Sequence, residues 1–185
     1  MGYKKDLNWS SDKIQPLAEK LFYSKIWKNS SIISLDEHQN SLKLILDIGG
    51  VDKLIRHSNG SITLLAQRFR RWKERRYDDF TIRAIRPSGR LTEIDKIIGA
   101  IKNKTLLAAY YAYGLVNREE NGFLRFRILK LQEFGERLND GRIKLGKFIW
   151  NFPPDSGFYF WNFNSFPKSL FFYEYIYQQQ LDLFL

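Results

Sequence analysis

An α/β domain with a central mixed β-sheet flanked by helices is the fold class that this sequence predicts. Three observations lead there. Residues 12–28 carry apolar side chains at helical spacing, two β-prone runs flank Ser58-Asn59-Gly60, and a further alternating strand precedes a short helix near residue 131. With 185 residues the chain fits one domain, and no repeat, linker or low-complexity tract suggests a boundary.

Taken in order, Ser10-Ser11-Asp12 offers an N-cap and Pro16 lies near the first turn. Ile14, Leu17, Leu21, Phe22 and Ile26 then form one stripe, so a helix is expected over 12–28. Glu19 falls at the border of that stripe, beside Ile26, where it would point along a cleft. Residues 42–48 read as a strand ended by Gly49-Gly50. Val51 to Arg56 and Ser61 to Arg70 read as a hairpin, and Tyr77 to Arg86 as a further strand closed by Pro87-Ser88-Gly89. The Ala- and Tyr-rich stretch from Thr105 to Leu115 reads as a helix on the sheet that closes at Gly114. Phe123 to Leu131 alternates as a strand, with Phe123, Arg125, Arg127 and Leu129 on one side, and 131–138 is a short helix. From Phe148 onward the chain is dense in aromatic residues, which are expected to form core and a subunit interface, hence a homodimer.

Charge narrows the function. Thirty Lys and Arg against twenty Asp and Glu give a formal net charge of +10, which favours an anionic partner, with nucleic acid first. Hydrophobic residues at 44% supply enough apolar area to offset chain entropy, so the chain is expected to fold alone. The sequence has no Cys and two His, which excludes disulfide scaffolds, zinc knuckles and Cys nucleophiles. Any metal would need oxygen ligands. The segment Met1 to Asp6 lacks an apolar signal core and no run approaches a membrane span, so a soluble, cytoplasmic protein is expected.

The candidate chemistry lies on the hairpin. Asp52 sits at the start of one strand, with Gln67, Arg68 and Arg70 on its partner. That arrangement suits metal-assisted phosphodiester cleavage, because Mg²⁺ or Mn²⁺ prefers hard oxygen ligands and a neighbouring cation offsets charge on the phosphate.

These residues resemble the PD-(D/E)XK nuclease superfamily, with its restriction-endonuclease-like and Holliday-junction-resolvase-like fold. The resemblance runs from about Ile14 to Leu131. Asp52 to Arg70, Tyr77-Asp78-Asp79-Phe80-Thr81-Ile82 and Tyr113-Gly114 also look like a branch of small phage and archaeal-virus proteins, which implies host cytoplasm for a viral member. The resemblance implies a DNA nuclease in which Glu19 is the helix acid, Asp52 the strand acid and Arg68 the terminal basic residue, with metal held by Asp52, Gln67 and Glu19. The third motif departs from the pattern, since no carboxylate lies between Ser61 and Lys73.

Turn geometry offers two registers. A two-residue turn at Asn59-Gly60 puts Asp52 opposite Gln67, whose amide oxygen could then ligate. A three-residue turn, with Gly60 left-handed, puts Asp52 opposite Ala66 and sends Arg68 to the active face, which keeps the basic residue and loses a ligand. The first is taken as the expectation. The second leads to an inactive nuclease-fold protein that binds nucleic acid or serves viral assembly.

Beyond the hairpin, Arg70, Arg71, Lys73, Arg75 and Arg76 interleave with Trp72 and Tyr77 where duplex phosphates would lie. They are the expected DNA-binding residues, with Arg83, Arg86, Arg90, Arg125 and Arg127 adding charge nearby. Asp36, Glu37 and Asp47 are alternative ligands. His38 and His57 are expected to be surface or hydrogen-bonded residues.

Overall fold

Nine strands and three helical stretches build two sheets and the layers that cover them, in a computed structural model that describes residues 8–35, 46, 49–151 and 156–177. The strand expected over 42–48 lies outside these residues except for Leu46, which is buried. Asp36, Glu37, His38 and Asp47 lie outside them too.

The first helix, α1, runs over residues 9–26. Its Trp9–Ile14 and Glu19–Tyr23 turns are π-helical, flanking the Gln15–Ala18 turn that carries Pro16. A proline lacks the N–H of the ordinary i to i−4 bond, so widened turns on either side are a natural accommodation. Trp27 leaves helical geometry and Asn29 is left-handed at φ 59°, ending α1 slightly earlier than expected.

Strands β1 (Ser31–Ser34), β2 (Lys53–Arg56) and β3 (Ile62–Arg70) are antiparallel neighbours. The main sheet continues with β5 (Tyr110–Val116), β6 (Phe123–Lys130) and β9 (Phe171–Ile176), in the order β1-β2-β3-β5-β6-β9. Only β3 and β5 are parallel, and a parallel pair needs a crossover. Strand β4 (Asp79–Ile85) and helix α2 (Glu93–Asn103) supply it. Strand β4 heads a second, antiparallel sheet of order β4-β8-β7, with β8 at Gly157–Asn162 and β7 at Lys147–Trp150. Helix α3 (Leu131–Asn139) follows β6 directly.

The expected helix from Thr105 to Leu115 is instead strand β5, and the helix lies one segment earlier as α2. Helix α2 begins with a capping box in which Thr92 Oγ1 accepts from the Asp95 N–H while the Asp95 carboxylate accepts from Thr92 N–H. Ile94 and Ile97 are its buried face. In β5, aromatic Tyr110, Tyr111 and Tyr113 with Val116 favour the pleated conformation. The small residues answer to space, since a Cβ on Gly114 would sit 2.6 Å from the Phe123 ring and 2.9 Å from the Phe69 ring. Gly114 permits close packing and does not end a helix.

The core has two parts, one on each face of the main sheet. Ile14, Ala18, Phe22 and Tyr23 of α1 pack on Ile55, Leu65, Ala112, Phe126 and Ile128. On the other face Phe80, Ile82, Ile94, Ile97, Phe134, Trp161 and Phe163 pack beneath Tyr111, Tyr113 and Leu129. Phe123 joins the α1 face rather than the side of Arg127, because a bulge shifts the β5–β6 register between Leu115 and Val116. Much of the aromatic C-terminal region is core, as expected, while Phe148, Ile149, Trp150 and Phe172 are exposed.

Candidate functional site

The hairpin takes the longer turn. His57 N–H donates to Ser61 O at 2.9 Å, enclosing Ser58-Asn59-Gly60, and Gly60 is left-handed at φ 82°. Asn59 Oδ1 accepts from Ser61 N–H and Oγ, fixing the bend. Pairing then runs Arg56 with Ile62, Leu54 with Leu64 and Lys53 with Leu65, and just beyond it Asp52 N–H donates to Leu65 O at 2.9 Å, so Asp52 stands at the Leu65–Ala66 end of the ladder and not opposite Gln67. The expected register, with Gln67 facing Asp52, is corrected: the odd-numbered loop moves every side chain of β3 one step relative to β2.

That step decides which face each candidate occupies. Gln67 belongs to the α1 face, where its Oε1 accepts from Tyr23 Oη at 3.1 Å. Its Nε2 is buried and has no hydrogen-bond partner among the described residues. The amide oxygen expected to ligate metal is thus engaged by Tyr23, although Gln67 also contributes to the lining of the cavity that Asp52 borders. What Gln67 gives Asp52 is its backbone, whose N–H donates to Asp52 Oδ2 at 2.7 Å. Glu19 is likewise on the α1 face, paired at 2.7 Å with Lys53, a lysine whose side chain is only 4% exposed. A buried ammonium needs a counter-charge, so Glu19 is a structural partner of Lys53 in the place where a metal ligand was expected. Tyr23, between them, has its hydroxyl pKa pushed well up, by burial first and then by the charges of Asp52 and Glu19.

The opposite face carries Asp52, Ala66 and Arg68. Asp52 and Ala66 border a cavity of about 150 Å³ between the hairpin and α2, to which Gln67, Arg86, Glu93, Lys96 and Tyr111 also contribute. Arg68 lies 3.9 Å from Glu93 and its guanidinium sits 5.1 Å from the Phe158 ring centre. Burial opposes its charge, yet Glu93 and neighbouring groups outweigh that and hold its pKa above the ordinary arginine value. Glu93 also accepts from the Arg83 backbone N–H at 3.2 Å. Burial, then Glu93, raises the Tyr111 hydroxyl pKa, with Asp52 adding to it. The longer register thus keeps a basic residue on the face of Asp52 and puts a methyl group where the motif calls for a carboxylate.

Glu93 and Lys96 are cavity residues that the sequence reading did not single out, whereas Arg86 was expected only to add charge near the DNA-binding run. A signal for the first two was present. The Thr92-x-x-Asp95 cap starts a helix there, placing Glu93 in its first turn and Lys96 three residues on, on the same side.

The donor set does not fit a Mg²⁺ or Mn²⁺ centre of the expected kind. Among the described residues no three His, Asp or Glu side chains gather as a metal-binding group. Ala66 offers no oxygen and the Gln67 amide is bound to Tyr23.

The expected DNA-binding run divides. Arg70 is tied inward by ion pairs to Asp79 and Glu74, a hydrogen bond to Thr81 and a position 5.3 Å from the Tyr113 ring centre. These contacts engage its guanidinium within the protein. Arg71 stacks on Trp9 at 4.0 Å and reaches Glu120 at 3.4 Å. Lys73, Arg75 and Arg76 are exposed on the short Trp72–Glu74 turn and the residues after it, with Arg75 stacked on Trp72 at 4.0 Å and Tyr77 exposed beside them. Arg125 and Arg127 converge on Asp78 at 2.9 and 2.6 Å. Burial works against the Asp78 charge, but hydrogen bonds from Arg127 and Arg125 outweigh it and hold the carboxyl below its ordinary value. His57 is hydrogen-bonded to Ser30 and Thr63, as the sequence reading expected of a lone histidine.

Compared with known proteins, the chain matches no family model, no curated protein and no solved structure. Among the described residues no helix is long and apolar enough to cross a membrane.

Proposed function

We propose that this chain is a nucleic-acid-binding protein on a nuclease-like α/β frame, one that holds DNA without hydrolysing it. The observation that carries the reading is the hairpin register, Lys53 opposite Leu65, which leaves the methyl group of Ala66 on the cavity that Asp52 borders and supplies no second hairpin carboxylate there. Cleavage through a divalent cation needs several hard oxygen ligands converging on one ion, and Asp52 alone does not supply them. Binding needs only accessible cations. Lys73, Arg75 and Arg76 supply these on one exposed turn, within a chain of net charge +10.

The contacts expected are to phosphate and to base faces, through the Trp72–Arg75 stack and Tyr77, which grip a strand without reading its sequence. The test is the salt dependence of DNA affinity. Each phosphate contact adds a slope of about −0.9 in log K against log salt, so replacing Lys73, Arg75 and Arg76 by Ala together should flatten the slope by about two to three units. An unchanged slope would return these residues to a solvated surface.

The nuclease expectation survives as a second reading on one observation: Glu93 borders the same cavity as Asp52. Its carboxylate is already engaged by Arg68 and the Arg83 N–H, which is why this reading stands second. DNA cleavage lost in both Asp52→Ala and Glu93→Gln would favour it. A homodimer, expected from the aromatic C-terminal region, is retained as part of the proposal and is checked by light scattering.

A further inference from the structure

A second cleft, of about 560 Å³, lies on a different part of the molecule, where the chain from α3 into β7 folds over the end of β8. Its rim carries Arg137, Arg142, Lys144 and Lys147, and no Asp or Glu lines it. Two of the four cations are matched from outside the cleft, Arg137 by Glu133 at 2.5 Å and Arg142 by Asp140 at 2.6 Å. Lys144 and Lys147 have no ion-pair partner among the described residues, and the buried Nε of Arg137 has no hydrogen-bond partner among them. The floor is apolar, formed by the buried rings of Trp161 and Phe166.

The rim is fixed before any ligand arrives. Trp161 Nε1 donates to Lys144 O at 2.9 Å, and a Cβ on Gly146 would lie 2.5 Å from Phe160 O and 2.8 Å from the Trp161 ring. Only glycine lets the backbone between the two lysines press so closely on the floor. Asn162 and Ser165 add hydrogen-bonding groups at one end. An apolar floor under a cationic rim selects an anion with a flat apolar body, and the volume falls in the ordinary range of small-ligand sites, about 300–1,000 Å³.

We propose that this cleft binds a nucleotide, with the phosphate held by Lys144 and Lys147 and the base lying against the Trp161–Phe166 floor. The inference stands on this cleft alone and does not depend on the reading of the Asp52 site. The same chemistry is offered by a free mononucleotide and by the 5′-phosphorylated end of a strand.

The experiment is calorimetric titration of the full chain with AMP, adenosine, inorganic phosphate, and a thymidine trinucleotide with and without a 5′-phosphate. AMP or the phosphorylated trinucleotide should bind more tightly than adenosine or phosphate alone, and the tighter of the two identifies the source. Lys144→Ala with Lys147→Ala should weaken that binding about tenfold or more, as expected for loss of charge-assisted contacts. Both lysines are exposed, so the fold should persist, checked by circular dichroism, and Lys144→Gln with Lys147→Gln gives a milder pair. Binding of AMP no tighter than phosphate, equal affinity in the lysine variants, or no heat from any probe would each overturn the proposal. These outcomes leave the salt dependence carried by Lys73, Arg75 and Arg76 untouched, so the two readings fail separately.

Discussion

The two faces of the β2–β3 hairpin use adjacent residues of the same strands and reach opposite ends. Toward α1, Lys53, Glu19, Tyr23 and Gln67 form a closed polar group in which the one buried ammonium has its carboxylate and the tyrosine its acceptor. Toward α2, Asp52 and Ala66 border an open cavity whose second carboxylate, Glu93, comes from a helix instead of the hairpin and lies 3.9 Å from Arg68. On the first face the protein itself pairs the charges, which is how a fold uses charge for stability, while Gln67 Nε2 finds no partner among the described residues. Polar groups on the second face remain accessible to something else. The carboxylates at 19 and 52 therefore have different duties although the sequence suggested a common one.

The comparison breaks most visibly at Glu19. Removing it by Glu19→Ala strands the Lys53 ammonium in the core, and unfolding by urea should show a loss of about 3 kcal/mol, reduced from the fully buried case because Glu19 is a third exposed. Its DNA affinity should stay at the wild-type value. A metal ligand would behave the other way, sparing stability and changing any divalent-cation dependence.

A smaller loss, about 2 kcal/mol, is expected for Asp78→Asn, which takes from Arg127, with its 4% exposed side chain, one of its two carboxylate partners and leaves Glu174 at 3.1 Å. Because the folded Asp78 carboxyl titrates below its ordinary value of 3.8, its contribution is fully present above that pH and fades as pH falls through the folded value. Wild type should therefore lose stability on acidification more steeply than Asp78→Asn. Parallel stability curves in acid would contradict the ion-pair assignment.

The smallest stability effect belongs to Gln67→Ala. It removes the acceptor of Tyr23 but also an amide N–H₂ that lacks a partner, so the two contributions oppose and the net change should be within about 1 kcal/mol. Affinity for DNA should not move.

Much of this arrangement was legible in the residues. The hairpin, β4, β6 and α3 follow from alternation and turn chemistry, and the class of α/β domain with a mixed main sheet follows from them. Strand β5 was misread because Ala108, Ala109, Ala112 and Gly114 carry helix-like and helix-ending signals. The small size of Gly114 answers to the Phe123 and Phe69 rings and that of Ala112 to the packing beneath α1, contacts distant in sequence. Helix α2 was passed over although Thr92 and Asp95 mark its start, and Glu93 was passed over with it. The site turned on one residue of loop length. Asn59-Gly60 is compatible with both turns, and neither strand contains a signal strong enough to choose, because Leu64, Leu65 and Ala66 are apolar in succession and suit either face. The His57–Ser61 hydrogen bond selects the longer turn, and with it the register that sets Lys53 opposite Leu65.

The most direct test of that pairing is a single assay: supercoiled plasmid incubated with wild type and with Ala66→Glu in the presence of Mn²⁺, read for both retardation and nicking. The variant places a carboxylate on the cavity face beside Asp52, where hard oxygen ligands would then pair. The account predicts that wild type retards the plasmid and leaves it supercoiled, while Ala66→Glu nicks it and stops in EDTA. Nicking by wild type that EDTA abolishes and Asp52→Ala removes would contradict it.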